Sequence, residues 1–206
     1  MDTTAPSDAT LIEALFRVIA EHGWRGVTVP RLAEASGIPG AELVRRFPSR
    51  LGLLRLFAET VTDTVVHGTV AGQGGTPRDR LFDVLMRGLD ALAPCKPGMQ
   101  RLMVEMYTDP VLFGAMAPLF QSSMERMLDA AEIDSGGIRG RLRAAGLTLV
   151  WIRTVNAWSK DTSEELGSTM ATLDRALERA EQAARSFRLA DGDLAPPHAG
   201  EHIPTA

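Results

Sequence analysis

Residues 28–50 read TVPRLAEASGIPGAELVRRFPSR. Thr28 suits a helix N-cap, because a threonine oxygen can accept one of the first-turn N–H groups. Pro30 is tolerated in that first turn, where its missing donor costs nothing. The short run that follows stops at Gly37. Pro39 can open a new helix at its first position. Leu43 lies in the middle of that helix, and Arg45, Arg46 and Phe47 close it. Ser49 then caps a further helix. Two short helices separated by the four-residue turn ASGI have the spacing of a helix-turn-helix. The open question is whether the second of them reads DNA.

The surrounding pattern is helical. Ile12, Leu15, Phe16 and Ile19 recur at i, i+3, i+4 and i+7, one face of a first helix that ends at Gly23. The helix capped by Ser49 carries Leu53, Leu54, Phe57, Val61 and Val65, and the glycine-rich HGTVAGQGGTP follows. Thr76-Pro77 restarts the chain with a fifth helix lined by Leu81, Val84, Leu85, Gly88 and Leu92. A short sixth carries Met99, Leu102, Met103 and Met106. Asp109-Pro110 begins a seventh, which Pro118 is expected to kink or split. Two long helices follow, over 138–160 and 163–189. In the last, Leu166, Met170, Leu173, Leu177, Ala180, Ala184 and Phe187 form a heptad seam suited to packing on another helix. The pattern predicts an all-α protein. Its parts are a head over 8–58, a linking helix end and loop over 59–75, a larger helical domain over 76–189, and a disordered Pro- and Gly-rich tail over 190–206.

The totals fit this reading. The chain has 206 residues, 45% hydrophobic and 23% charged, enough to bury a core without staples. Between Thr10 and Ala58 seven arginines face four glutamates, a net +3, so the remainder of the −4 chain carries −7. A basic head on an acidic body points to a polyanionic partner for the head alone. The single cysteine, Cys95, forms no internal disulfide, and a reducing cytoplasm is the expected compartment. The N-terminus lacks a secretory signal, and no apolar run is long enough for stable membrane insertion.

The head, LIEALFRVIAEHGWRGVTVPRLAEASGIPGAELVRRFPSRLGLLRLF over residues 11–57, resembles the TetR family of one-component transcription regulators. The resemblance rests on AEHGWRGVTV, LAEASGI, RRFPSR and the leucine-rich fourth helix, all in register. It implies a TetR-like fold: a three-helix DNA-binding head, and a helical ligand and dimer domain. It implies double-stranded operator DNA as partner, a small hydrophobic effector and a homodimer, with no cofactor. The third helix, with Pro39, Gly40, Ala41, Glu42 and Val44, would lie in the major groove. Thr28 would meet a phosphate. Arg45 and Arg46 would reach phosphate or a guanine edge. Arg50 occupies the place of a phosphate-facing lysine. The sequence also departs from the family pattern. Its third helix often reads small-Lys-Gly-Thr-Leu-Tyr, but Gly40 and Val44 replace the lysine and tyrosine, and Glu42 adds a charge that phosphates repel. A head retained only for structure is therefore the competing reading.

The body stretches RDRLFDVLMRGLDAL and WSKDTSEELGSTMATLDRALERAE also resemble a TetR-fold accessory family of ubiquinone biosynthesis, whose members bind lipid. That family carries a C-terminal amphipathic helix, whereas DGDLAPPHAGEHIPTA offers neither a broad apolar face nor a basic one. The regulator reading ranks first.

Six methionines, Met99, Met103, Met106, Met116, Met124 and Met127, are either core filling or the wall of an adaptable apolar pocket. For the pocket the candidates are Leu102, Met103, Met106, Met116, Leu119, Phe120 and Trp151, with Tyr107 and Arg101 as polar contacts. Dimer packing is expected from Leu149, Ile152, Leu166, Met170, Leu173 and Leu177. Trp24 is expected to close the core of the head. His198 and His202 are too few and too proline-flanked for a metal site. No nucleophile elbow, phosphate loop or zinc signature is present, so enzymatic activity is not expected.

Overall fold

The computed structural model describes residues 7–72 and 74–186. These form nine α-helices and two short 3₁₀ turns, with no strand among the described residues. The helices are α1 Asp8–His22, α2 Val29–Ser36, α3 Gly40–Arg46, α4 Arg50–Gly68, α5 Pro77–Leu92, α6 Lys96–Thr108, α7 Pro110–Ala130, α8 Gly137–Lys160 and α9 Gly167–Ser186. The 190–206 tail, Phe187, His198 and His202 lie outside the described residues.

Local chemistry sets most boundaries. Ser7 accepts from Thr10 N and caps α1, and Gly37 ends α2 in the left-handed conformation at φ 71°. Ser49 accepts from Leu51 N at the start of α4. Thr76 and Asp79 form a reciprocal capping box on α5, and Asp109 accepts from Val111 N and Leu112 N to start α7. Pro39 sits one residue earlier than expected, as the cap before α3 rather than inside it.

Two expectations are corrected. Pro118 does not split α7, which runs unbroken from Pro110 to Ala130. The carbonyl that Pro118 leaves without a donor belongs to Gly114, which is exposed, so water can satisfy it. Helix α9 begins at 167 rather than 163. Leu166 stands before it at φ 50°, and the buried Asp161 carboxylate gathers the junction. It accepts from Ser163 N and Oγ, Ser168 Oγ, and Thr169 N and Oγ1, at 2.6–3.1 Å. Five donors on one carboxylate hold its pKa far below the usual carboxylate range.

In the head, α1 packs on α2, with Trp24, Leu32, Ile38 and Leu43 buried between them and α4. In the body, α4, α5, α6, α7, α8 and α9 enclose a core continuous with that of the head. The two parts meet where α1 lies on α6. Gly98 permits that approach: a Cβ there would stand 2.2 Å from the Phe16 carbonyl oxygen.

Candidate functional site

The outer face of the head is built by α2 and α3. Thr28 is exposed, and its side chain makes no capping bond, so its hydroxyl and the α2 first-turn N–H groups remain available. Leu43 anchors α3 inward at 2% exposure. Ala41, Val44 and Arg45 are exposed on α3, while Gly40 and Glu42 are half-buried. Among the described residues Arg45 has no ion-pair or hydrogen-bond partner.

Arg46 and Arg50 each have partners within the head. Arg46 pairs with Asp8 in the first turn of α1, lies 3.9 Å from Glu42, and stacks 5.2 Å from the centre of the Phe47 ring. Arg50 donates to the Trp24 carbonyl at 3.2 Å and stacks 5.0 Å from its ring centre. Both guanidiniums serve the packing of the head, since a planar cation is stabilised by a nearby carboxylate and an aromatic face. Glu42 shares Arg46 with Asp8, which lessens the bare negative charge that the sequence implied.

The head is tied to α6 by polar contacts absent from the sequence reading. Trp24 N donates to Glu105 Oε2 at 3.0 Å, and Arg101 Nε donates to Glu105 Oε1 at 3.1 Å. Arg25 reaches Asp109 at 3.4 Å. The α2 N-terminus follows directly on this fastened turn.

On its other side α6 borders a cavity of about 70 Å³. Leu102, Met103, Met106, Met116, Leu119, Phe120 and Trp151 all line it, joined by Met99, Met124 and Met127. Sequence reasoning missed the α4 wall of Leu54, Phe57, Val61 and Thr62, as well as Ser123 of α7. Tyr107 is not in the cavity but 60% exposed at the end of α6, and Arg101 is exposed and paired with Glu105. In a helix one hundred degrees of rotation separate neighbouring positions, so Met106 and Tyr107 take different faces. No charged side chain lines the cavity. Gly88 makes room for one wall, because a Cβ there would stand 2.8 Å from the Trp151 ring.

The expected dimer residues divide. Leu173 and Leu177 are 0% and 3% exposed, already covered by α8 and α5 of the same chain. They are not surface. Leu166 is half-buried in the turn before α9. Met170 is 37% and Leu149 64% exposed, and Ile152 is half-buried. On α8 the exposed Ile138, Leu142, Ala145 and Leu149 and the half-buried Ile152 are spaced 4, 3, 4 and 3, an apolar stripe of which the sequence reading named only Leu149 and Ile152.

Residues 11–56 match the family model of bacterial regulatory proteins of the tetR family. The head is thus similar to the N-terminal domain of that family. Solved structures extend the likeness to the whole fold. A TetR transcriptional regulator from Nitrosomonas europaea ATCC 19718 superposes with a TM-score of 0.64 at 19% identity, over 85% of this chain and 98% of that one. A TetR transcriptional regulator from Rhodococcus sp. RHA1 gives 0.57 at 19% identity, over 84% and 93%. A tetR-family regulator from Streptomyces coelicolor gives 0.56 at 16% identity, over 87% and 82%. The described chain has the TetR fold. No curated protein matches its sequence. The resemblance of the body to the ubiquinone accessory family gains no support from these structures. No described helix is long and apolar enough to cross a membrane.

Proposed function

We propose that this protein is a homodimeric DNA-binding transcription regulator whose DNA affinity is set by a small apolar effector in the body. The observation that carries the DNA reading is the outer face of the head, where Arg45 of α3 is exposed and unpartnered among the described residues and Thr28, before α2, is exposed with no side-chain capping bond. A free guanidinium on a helix of groove-reading type recognises a guanine edge in bidentate fashion, and a helix N-terminus favours phosphate. Arg45 carries most of the specific contact, because Arg46 and Arg50 are engaged within the head. The dimer forms on the α8 stripe with Met170 beside it, since a heptad-spaced apolar face packs on its own copy about a two-fold axis.

Coupling runs through α6 and α4. One face of α6 borders the cavity, and the other holds the head through Gly98 and Glu105. Helix α4 forms a cavity wall and begins in the head. A ligand that fits only one spacing of these helices shifts the separation of the two heads, and with it their fit to half-sites one helical turn apart.

The test is an electrophoretic shift of the DNA upstream of the coding sequence, titrated at several salt concentrations. Wild type is expected to bind with a steep salt dependence. Arg45→Ala costs about 1–3 kcal/mol of specific binding, and Arg46→Ala costs less. Equal binding by wild type and Arg45→Ala rejects the assignment of α3.

A further inference from the structure

We propose that the body cavity selects a compact, uncharged, mostly apolar molecule carrying one hydroxyl or carbonyl oxygen, which the Ser123 hydroxyl binds beside Thr62. This rests on the effector reading above and adds the chemistry of the ligand.

The wall excludes ions. It is made of methionine, leucine, valine and aromatic side chains and contains no charged group. A carboxylate or ammonium ion entering it would lose its water and gain no counter-charge, which is strongly unfavourable. The flanking charges stand outside the lining: Arg126 is paired with Asp63, and Glu125 accepts a hydrogen bond from the neutral Gln121.

Two hydroxyls interrupt the wall. Thr62 of α4 is buried at 1% exposure, and its hydroxyl stands 3.0 Å from that of Ser123 on α7. Thr62 has one proton and two acceptors in reach, since the Ala58 carbonyl lies 2.7 Å away. That proton serves one acceptor at a time. With the proton on the Ala58 carbonyl, Thr62 is satisfied and Ser123 is left with an uncommitted proton and lone pairs, because Ser123 has no other hydrogen-bond partner among the described residues. Ser123 can then donate to a ligand carbonyl or accept from a ligand hydroxyl without orphaning Thr62. A ligand oxygen on Ser123 then stands where α7 meets Thr62 of α4, the helix that begins in the head.

The size limits the ligand. A water occupies roughly 10–15 Å³ measured in this way, so a cavity of about 70 Å³ holds only a handful of non-hydrogen atoms. Larger occupants require the methionines to change rotamer, which their unbranched side chains allow.

The test uses the full chain with methyl-labelled methionine, titrated separately with 1-pentanol, 2-pentanone, n-pentane and pentanoate at neutral pH. Methionine methyl shifts in the NMR spectrum report occupancy. Pentanol and pentanone are expected to bind about two- to tenfold more tightly than pentane, the worth of one neutral hydrogen bond. Pentanoate is expected to leave the methyls unmoved. Ser123→Ala should remove the preference for oxygen while leaving pentane affinity unchanged. Thr62→Val, which keeps the shape, should weaken the preference. Pentanoate binding like pentanol, or an oxygen preference that survives both substitutions, overturns the proposal. Equal binding of pentane and pentanol by wild type overturns it too, while leaving the cavity as an effector site. If no probe moves any cavity methionine, the effector reading itself fails.

Discussion

Replacing Gly98 by alanine tests the joint between head and body. A Cβ at this position would lie 2.2 Å from the Phe16 carbonyl oxygen and 2.9 Å from the ring atom Phe16 Cδ1. A carbon–oxygen contact is comfortable near about 3.3 Å, so α1 and α6 must part by about 1 Å. The obstacle is backbone held by the α1 hydrogen bonds, not the tip of a flexible side chain. Overpacking of this kind costs about 1–3 kcal/mol. Against it stands the helix preference of alanine over glycine, at most about 1 kcal/mol. A contact this short against backbone belongs at the upper end, about 2–3 kcal/mol, so strain wins by about 1–2 kcal/mol. For a chain of this size each kcal/mol moves the melting temperature about 2–4 °C, so the variant should melt about 2–8 °C below wild type. Gly114→Ala is the control. Its Cβ would meet nothing within 4 Å on the exposed side of α7, so the melting temperature should hold or rise. Circular dichroism melts of both variants decide the matter. A Gly98→Ala protein melting at or above wild type would refute the close approach of α1 and α6. Because the displaced helix carries the head, its DNA affinity should also change, whereas that of Gly114→Ala should not.

Leu149→Glu places a charge in the α8 stripe and should yield a folded monomer by light scattering, whereas Leu173→Glu buries a charge within one chain and should unfold or aggregate. A dimeric Leu149→Glu protein would move the interface elsewhere. Asp161→Ala should lower the melting temperature by several degrees at neutral pH. The carboxyl of Asp161 has a folded pKa below its unfolded value of about 3.9. Its stabilisation is therefore full well above that pH and declines as pH falls from there through the folded value. The gap between wild type and Asp161→Ala should narrow in acid, and a pH-independent gap would count against the carboxylate junction. Burial, assisted by the charge of Glu13, pushes the Cys95 thiol up to about 11. Native protein should thus react with a thiol reagent at neutral pH only as fast as it opens, and prompt labelling of the folded chain would contradict its burial.

Local features in the sequence located nearly every helix. Ser49, Thr76 and Asp109 cap where their side chains suggest, and Gly37 stops α2, because caps and turns depend on groups only a few residues apart. The start of α9 was misplaced because its junction is governed by Asp161, six residues upstream and on the end of another helix. Pro118 does not split α7, because the exposed Gly114 carbonyl that it leaves without a donor can meet water. The candidate cavity was half legible: the α6 and α7 methionines advertise their apolar faces, but Thr62 and Ser123 read as ordinary helix residues until α4 and α7 are brought together.

The sequence alone determined the all-helical class, the helix-turn-helix spacing and the basic character of the head, since periodicity, capping and charge are properties of a chain before it folds. Tertiary structure decided what those features are free to do. Three arginines near α3 are equivalent in sequence, yet Asp8 of α1 engages Arg46, Trp24 engages Arg50, and only Arg45 remains unpartnered among the described residues. The heptad of α9 is a fact of sequence, but the same chain covers Leu173 and Leu177 and leaves the stripe on α8 exposed. An apolar period says that a helix needs a partner. Which surface supplies that partner depends on how distant segments pack, and that information is not local to any one of them.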